Sequence, residues 1–348
     1  MAFLRVIGVL VLMALVFTVP DAIAQAPAPT YALKATIPIP TWSNLTTPLS
    51  VDINWINPDT QTFVMADRSP DGGAIEVLDA ANYTFTRAAA LGQFTGIVPN
   101  QRGAPNGVVS VGPNDVAAGD GNSTLKVVNL VTDEVQVIST GGERRVDEMA
   151  YDPASDLLIA ANDQEDPRFV TVFKIHPLAI VGQIPIPQAT TGIEQPLLAP
   201  GGKFWIAIPA TVENPEGEID LIDPIALSIE RVLPVANCAR PTGLAWGVGG
   251  RLITGGGGCV VDPLTSGGSA IPGAGGDEVA SHPSRGVYAY TIADAHSLNL
   301  ADGWTNEVYQ QLPIDAPRNL AINPTNGEIW VPDYTTRSVL VFAPVTGE

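Results

Sequence analysis

The sequence has little positive charge, little histidine and almost no cysteine. Its 348 residues include 36 acidic but only 17 basic side chains, which gives a net charge of −19. Because an acidic surface repels phosphate groups, this charge excludes nucleic acid as a partner and disfavours docking onto anionic lipid. None of the three histidines is paired at zinc-site spacing, and no Gly-x-Ser-x-Gly elbow occurs, so a zinc enzyme and a serine hydrolase are both disfavoured.

Long apolar runs are also lacking, apart from one near the start of the chain. Arg5 precedes an apolar stretch over residues 6–19, and the small residues of Ala22–Ala24 stand before Gln25. This pattern predicts a signal peptide over residues 1–24, followed by a flexible mature N terminus over residues 25–30. The run is short for a membrane anchor of about 20 residues, so we expect no stable membrane span after cleavage and a secreted or periplasmic protein.

The two cysteines, Cys238 and Cys259, are an even number in a chain predicted to reach an oxidising compartment. We therefore predict a disulfide between them, with two buried free thiols as the alternative. Asn44, Asn82 and Asn122 lie in Asn-x-Ser/Thr sequons, which matter only if the source organism glycosylates exported proteins.

Glycine and proline are abundant, with 34 and 31 residues, and long amphipathic helical stretches are missing. The chain instead repeats one unit, in which an apolar run of four to seven residues, a tight turn and a second apolar run follow each other. Third and fourth short runs often follow. Seven such units start at Val51, Pro105, Val146, Ile193, Pro241, Gly276 and Pro317.

The spacing of these units predicts a propeller. Turn prolines mark six of them, and Pro58 and Pro324 are 266 residues apart over six steps, or about 44 residues per step. Propeller blades of four antiparallel strands repeat at about this length. The last unit has only three strands, and a lone strand-like segment, residues 31–40, precedes the first unit. We therefore predict an all-β fold, a single seven-bladed β-propeller over residues 31–348, closed by the N-terminal strand joining the last blade.

The rhythm of strands and turns resembles the YVTN/YncE-type and NHL-type repeats of exported bacterial propellers. The segments that carry the resemblance are GAIEVLDAANYTF, STLKVVNLVTDEV and RSVLVFAPVTGE, which begin at Gly73, Ser123 and Arg337. The resemblance implies the propeller fold but no particular chemistry.

A polar residue recurs just before or within the first strand of each unit. This polar residue stands six residues before the turn position of its unit, or within one residue of that distance. The seven residues are Asp52, Asn106, Asp147, Glu194, Thr242, Asp277 and Arg318. Since the first strand of a blade lines the central channel, these positions predict a ring at one mouth of the channel. In two units the acid is doubled, as Asp147-Glu148 and Asp277-Glu278. Strict strand alternation would let only one member of each pair face the channel.

Crowded carboxylates repel each other unless something neutralises them. A hard divalent cation, Ca²⁺ above all, would suit Asp52, Asn106, Asp147, Glu194 and Asp277, and Arg318 is a second possible counter-charge. The alternative is that these polar residues only bond loop amides and line a hydrated channel.

The PNG element at Pro105–Gly107 and the RPTGLAW segment at Arg240–Trp246 resemble SMP-30/gluconolactonase-like propellers, where an asparagine stands in place of Thr242. Two functions follow. The first is a secreted, non-catalytic binding or scaffold protein that holds a small molecule, a glycan or a protein at the channel mouth or the loops. The alternative, which the resemblance implies, is a divalent-metal-dependent lactonase or esterase, with Glu148 or Glu278 as general base.

Overall fold

A computed structural model describes residues 27–41, 48–69, 71–98 and 103–345. The predicted signal peptide, the first two residues of the predicted mature N terminus and Asn44 lie outside these ranges. No helix in the described ranges is long and apolar enough to cross a membrane.

The described residues form seven four-stranded antiparallel sheets, as the repeat predicts. Each sheet is one blade, and its strands follow one another in chain order except in blade 7. The blades are blade 1 (β2 Val51–Asn57, β3 Thr62–Asp67, β4 Ala74–Asp79, β5 Thr84–Ala89), blade 2 (β6 Val108–Ser110, β7 Asp115–Asp120, β8 Thr124–Asn129, β9 Val135–Ser139), blade 3 (β10 Met149–Asp152, β11 Leu157–Asn162, β12 Phe169–Lys174, β13 Ala179–Pro185), blade 4 (β14 Pro196–Ala199, β15 Lys203–Ile208, β16 Glu218–Asp223, β17 Ser228–Pro234), blade 5 (β18 Leu244–Trp246, β19 Leu252–Thr254, β20 Cys259–Val261, β21 Gly268–Ala270), blade 6 (β22 Val279–His282, β23 Val287–Ile292, β24 Ser297–Asp302, β25 Glu307–Pro313) and blade 7 (β26 Ala321–Ile322, β27 Ile329–Asp333, β28 Ser338–Pro344, with β1 Tyr31–Pro38).

Helical structure in the described residues is limited to single 3-10 turns. They span Val248–Gly250, Pro283–Arg285 and Ala293–Ala295. The first two lie in the turns between the first and second strands of blades 5 and 6, and the third lies between the second and third strands of blade 6.

The ring closes through the N-terminal strand, as predicted. Strand β1 pairs antiparallel with β28, from Tyr31 opposite Pro344 to Pro38 opposite Ser338. The first strands of the seven blades contact each other in cyclic order, and β26 also contacts β2. These strands therefore surround a central channel.

The core lies between the blades. Seven apolar clusters fill the fold, and each is shared by two neighbouring blades. Between blades 7 and 1, the fully buried Trp330 stacks on Phe63 at 5.1 Å between ring centroids. Because a fully buried large apolar side chain contributes roughly 1.5–3 kcal/mol, each blade depends on its neighbours for stability.

The predicted disulfide is present. Cys238, in the connection between blades 4 and 5, is bonded to Cys259 at the start of β20, with 5.5 Å between their Cα atoms. Both residues are buried in the apolar cluster that joins these two blades.

Candidate functional site at the channel mouth

All seven recurring polar positions lie at the same end of the channel. Asp147-Glu148 and Asp277-Glu278 stand directly before β10 and β22, and the others lie within three residues of the start of a first strand. We call this end the channel mouth. Neighbouring strands of a blade are antiparallel, so the loops between second and third strands also lie at the mouth. The turns between first and second strands and between third and fourth strands lie on the opposite face.

Arg145 neutralises much of the negative charge on one side of the mouth. Its Nε and Nη2 atoms bond the two oxygens of Asp163 at 3.2 and 3.0 Å. Nη2 also pairs with Asp147, and Nη1 lies 3.8 Å from Asp52. Burial alone would lower the pKa of Arg145, but the three carboxylates outweigh it and raise that pKa. Arg145 is therefore held as a cation.

Arg68 extends this network to blades 1 and 2. Its Nη1 atom donates to the side-chain oxygen of Asn106 at 3.0 Å and lies 3.4 Å from Asp52. The amide of Asn106 donates in turn to the carbonyl of Gly103 at 2.8 Å. Asn106 is fully buried, so its side chain is held on both its oxygen and its nitrogen.

Both members of each doubled acid belong to the mouth. Asp147, Glu148 and Glu278 are all buried, and the side chains of Glu148 and Glu278 form a hydrogen bond although they come from blades 3 and 6. Asp147 pairs with Arg145, whereas Glu148 contacts Glu278. That only one member of each pair faces the channel stays a prediction.

Burial is the main cause of the shifted pKa values of these carboxyls. It raises the pKa of Asp147 well above its usual range, although Arg145 opposes the effect. Burial also raises the pKa values of Glu148 and Glu278, and nearby carboxylates add to the shift. Glu194 is half-buried, and burial followed by Asp163 and Asp277 raises its pKa to about 8.

Asp277 is the acid of this set that is open to channel water. Desolvation by the channel walls is nevertheless the largest effect on Asp277 and raises its pKa. Asp52 raises this pKa further, and Arg318 lowers it. Arg318 thus acts on Asp277, and the ion pairs of Asp52, Asp147 and Asp163 come from Arg145 and Arg68. Sequence reasoning missed both of these arginines.

The seventh position, Thr242, serves the backbone. Its hydroxyl donates to the carbonyl of Asp277, which joins blades 5 and 6. The neighbouring Leu244 amide donates to the side chain of Gln195 from blade 4 at 2.7 Å.

The mouth opens into a small cavity of about 260 Å³. Arg68 and Arg145 line its charged side, and Ile97 and Val98 line its apolar side, with Ser50 and Gly103 between them. A ligand of a few non-hydrogen atoms would find both polar and apolar contacts here.

The oxygens of the mouth do not form a preformed metal cage. In the described part of the chain, no group of three or more His, Cys, Asp or Glu side chains is arranged to hold one metal ion. Asp147 and Asn106, two of the predicted ligands, bond Arg145 and Arg68. A metal site at these residues stays a prediction.

Comparison with known proteins supports the fold and no more. No protein-family model and no curated protein matches the chain. Among solved structures, one similar chain comes from the hydrazine synthase of Kuenenia stuttgartiensis, with a TM-score of 0.67 and 13% identity, covering 88% of this chain and 98% of that one. At this identity the similarity establishes the seven-bladed propeller and carries no function.

Proposed function

We propose that the protein is an exported, non-catalytic binding propeller that holds a small ligand at the channel mouth. The observation that carries the proposal is the convergence of charged side chains from five blades at the channel mouth, where Arg68 and Arg145 line a cavity of about 260 Å³. Concave sites with a few fixed polar groups and an apolar wall are the usual form of a small-ligand site.

The pairing of the acids favours binding over metal catalysis. Arg145 bonds Asp147 and Asp163, so these carboxylates already have a counter-charge. A fixed network of this kind provides oriented hydrogen-bonding groups without the open coordination positions that a catalytic metal needs.

Export and family are part of the same proposal. The apolar run after Arg5, the Ala22–Ala24 segment and the Cys238–Cys259 disulfide support an oxidising compartment, secreted or periplasmic. The strand and turn rhythm supports a relation to the YVTN/YncE-type and NHL-type propellers.

A matched pair of variants tests the ligand site. Ile97 is 61% exposed and lines the cavity, whereas Ile225 is 75% exposed at a turn on the opposite face. A thermal-shift screen of anionic, neutral and cationic small molecules would identify compounds that stabilise the mature protein. We expect Ile97→Arg to abolish the shift given by such compounds and Ile225→Arg to leave it unchanged. Equal shifts in both variants would place the site elsewhere.

One observation favours the lactonase or esterase as a second candidate. Glu194 and Asp277 come from blades 4 and 6, and Asp277 contributes to the raised pKa of Glu194, so acids of different blades lie near each other at the mouth. In this candidate Asn106, Asp147, Glu194 and Asp277 would hold the cation, and Glu148 or Glu278 would act as general base. Calorimetric titration of Ca²⁺, Mn²⁺ and Zn²⁺ into wild type and an Asp147→Asn, Asp277→Asn double variant tests it. Stoichiometric binding that the double variant loses would support this candidate, and its absence would remove it.

A further inference from the structure

Among the described residues, the lining of the mouth cavity includes two cations and no acid. The lining consists of Arg68, Arg145, Ser50, Gly103, Ile97 and Val98. The side chains of Arg68 and Arg145 are 21% and 15% exposed, so part of each remains accessible. Asp52, Asp147 and Asp163 pair with these arginines from outside the lining. A ligand that enters the cavity therefore meets the guanidinium groups and not the acids behind them.

One edge of the Arg68 guanidinium is unused. Its Nη1 atom bonds Asn106 and lies beside Asp52. Its Nε atom is buried without a hydrogen-bond partner, and Nη2 bonds no other residue in the described ranges. Nε and Nη2 form the edge of the guanidinium that faces away from Nη1. Because a buried N–H group that bonds neither water nor protein costs free energy, this edge needs an acceptor.

The neighbouring Arg145 shows which group such an edge binds. Its Nε and Nη2 atoms hold the two oxygens of Asp163 at 3.2 and 3.0 Å. A carboxylate suits this edge because its two oxygens match the two parallel N–H groups of a guanidinium. No carboxylate of the described residues bonds the same edge of Arg68. A ligand in the cavity would supply one.

The apolar side of the cavity is accessible as well. Ile97 is 61% exposed and Val98 is 39% exposed. An aliphatic group that covers these side chains removes apolar surface from water, which favours binding. The volume of about 260 Å³ lies below the roughly 300–1,000 Å³ of sites for drug-sized ligands, so the aliphatic group has to be short.

We infer that the mouth cavity binds a short aliphatic carboxylate, with its oxygens on the Nε–Nη2 edge of Arg68 and its chain against Ile97 and Val98. This inference rests on the proposed binding function and names the class of ligand. An amine would be repelled by Arg68 and Arg145, and a phosphate or sulfate would leave the apolar side of the cavity uncovered. The net charge of −19 opposes anions at long range. Salt screens this repulsion beyond about 10 Å, so the two guanidinium groups dominate at contact distance.

Calorimetry with isovalerate as the probe tests the inference at neutral pH and about 0.1 M salt. We expect isovalerate to bind the mature protein stoichiometrically. Isovaleramide has the same shape without the charge and should bind at least about tenfold more weakly, because hydrogen bonds between charged groups are the stronger ones. Acetate lacks the branched chain and should also bind about tenfold more weakly. No binding of isovalerate, or equal affinities for the three compounds, would overturn the inference.

Arg68→Lys tests the contact with the guanidinium edge. Lysine keeps a cation beside Asp52 but cannot present two parallel N–H groups, so isovalerate binding should weaken about tenfold. Arg144→Lys is the matched control, because Arg144 is exposed and does not line this cavity. It should bind isovalerate as wild type does. Equal affinity in Arg68→Lys and wild type would contradict the assigned contact.

A charge-matched pair at Ile97 provides a second test if Arg68→Lys does not fold. Ile97 is largely exposed, so Ile97→Glu and Ile97→Gln should both fold. Ile97→Glu should weaken isovalerate binding more than Ile97→Gln does, because it adds a negative charge to the cavity. Equal weakening would mean that no carboxylate lies there. If neutral or cationic compounds lose their thermal shift in Ile97→Arg while isovalerate does not bind wild type, the proposed function stands and only the carboxylate class fails.

Discussion

Arg145 holds Asp163 through two parallel contacts, Nε to Oδ1 at 3.2 Å and Nη2 to Oδ2 at 3.0 Å. The same guanidinium also pairs with Asp147. Fork-like contacts of this kind fix both the position and the orientation of a carboxylate. Arg145 is thus the residue that organises the blade 3 side of the channel mouth.

Replacing Arg145 with glutamine should destabilise the fold strongly. The change would leave the buried Asp147 and Asp163 without their cation. Removing one partner of a buried ion pair costs about 3–5 kcal/mol of folding stability. Urea unfolding measures the loss. Arg144→Gln is the control, because the neighbouring Arg144 is exposed and should matter little. Adding Asp147→Asn and Asp163→Asn to Arg145→Gln should restore part of the loss, and no restoration would contradict the ion-pair explanation.

Asp220 should make stability fall as the pH rises. It is fully buried in β16, neither carboxylate oxygen has a hydrogen-bond partner among the described residues, and burial followed by Glu218 raises its pKa to about 8. Between the ordinary aspartate pKa of about 4 and about 8, the folded state holds a proton that the unfolded state has lost. The free energy of unfolding therefore decreases by about 1.4 kcal/mol per pH unit in this window because of Asp220.

Asp220→Asn removes that contribution. Urea unfolding at pH 4.5, 6 and 7.5 should show a shallower loss of stability in Asp220→Asn than in wild type. Asp59→Asn, at an exposed turn of blade 1, is the control and should follow the wild-type curve. Parallel curves for Asp220→Asn and wild type would show that Asp220 is ionised in the folded state at neutral pH.

The disulfide should stabilise the junction of blades 4 and 5. It closes a loop between residues that are 21 positions apart, and a loop of that size contributes roughly 3 kcal/mol in the chain-entropy model. A Cys238→Ala, Cys259→Ala double variant should lose about that much free energy of unfolding. Reducing agent should lower the stability of wild type by a similar amount and leave the double variant unchanged. A reductant effect of equal size on both proteins would contradict this assignment.

Closure of the ring depends on the buried face of β1. Ile37 is buried in the cluster between blades 7 and 1, whereas the adjacent Thr36 points outward and is exposed. Ile37→Asp should lower the thermal midpoint by many degrees, because it removes apolar burial and places a charge in the core. Thr36→Asp should have a small effect. Similar midpoints for the two variants, measured by circular dichroism, would mean that β1 contributes little to closure.

The sequence was sufficient to predict the repeat and its closure, because strand and turn patterns are local and recur. The turn prolines lie between the first and second strands, as Pro58 and Pro153 illustrate. The convergence of the recurring acids at one mouth also followed from the register of the repeat. The fold class was predictable for the same reason.

The contacts of the mouth were not predictable in the same way. Arg145 stands just before a doubled acid but outside the aligned position, and Arg68 and Asp163 follow the ends of second strands. One signal was available, since an acid also stands at or just after the end of the second strand in several units, as Asp67, Asp120 and Asp333 do. The hydrogen bond between Glu148 and Glu278 depends on the diameter of the channel, which no local pattern encodes.

The pairing of β1 with β28 has a consequence for how the chain is made. Ala32 pairs with Ala343, so a ribosome must add more than three hundred residues before the partner of β1 exists. At about 5–20 residues per second, this takes tens of seconds. A chain released before Ser338 would carry six complete blades and still have no partner for its first strand. Strand β1 thus delays closure of the ring until β28 has been synthesised.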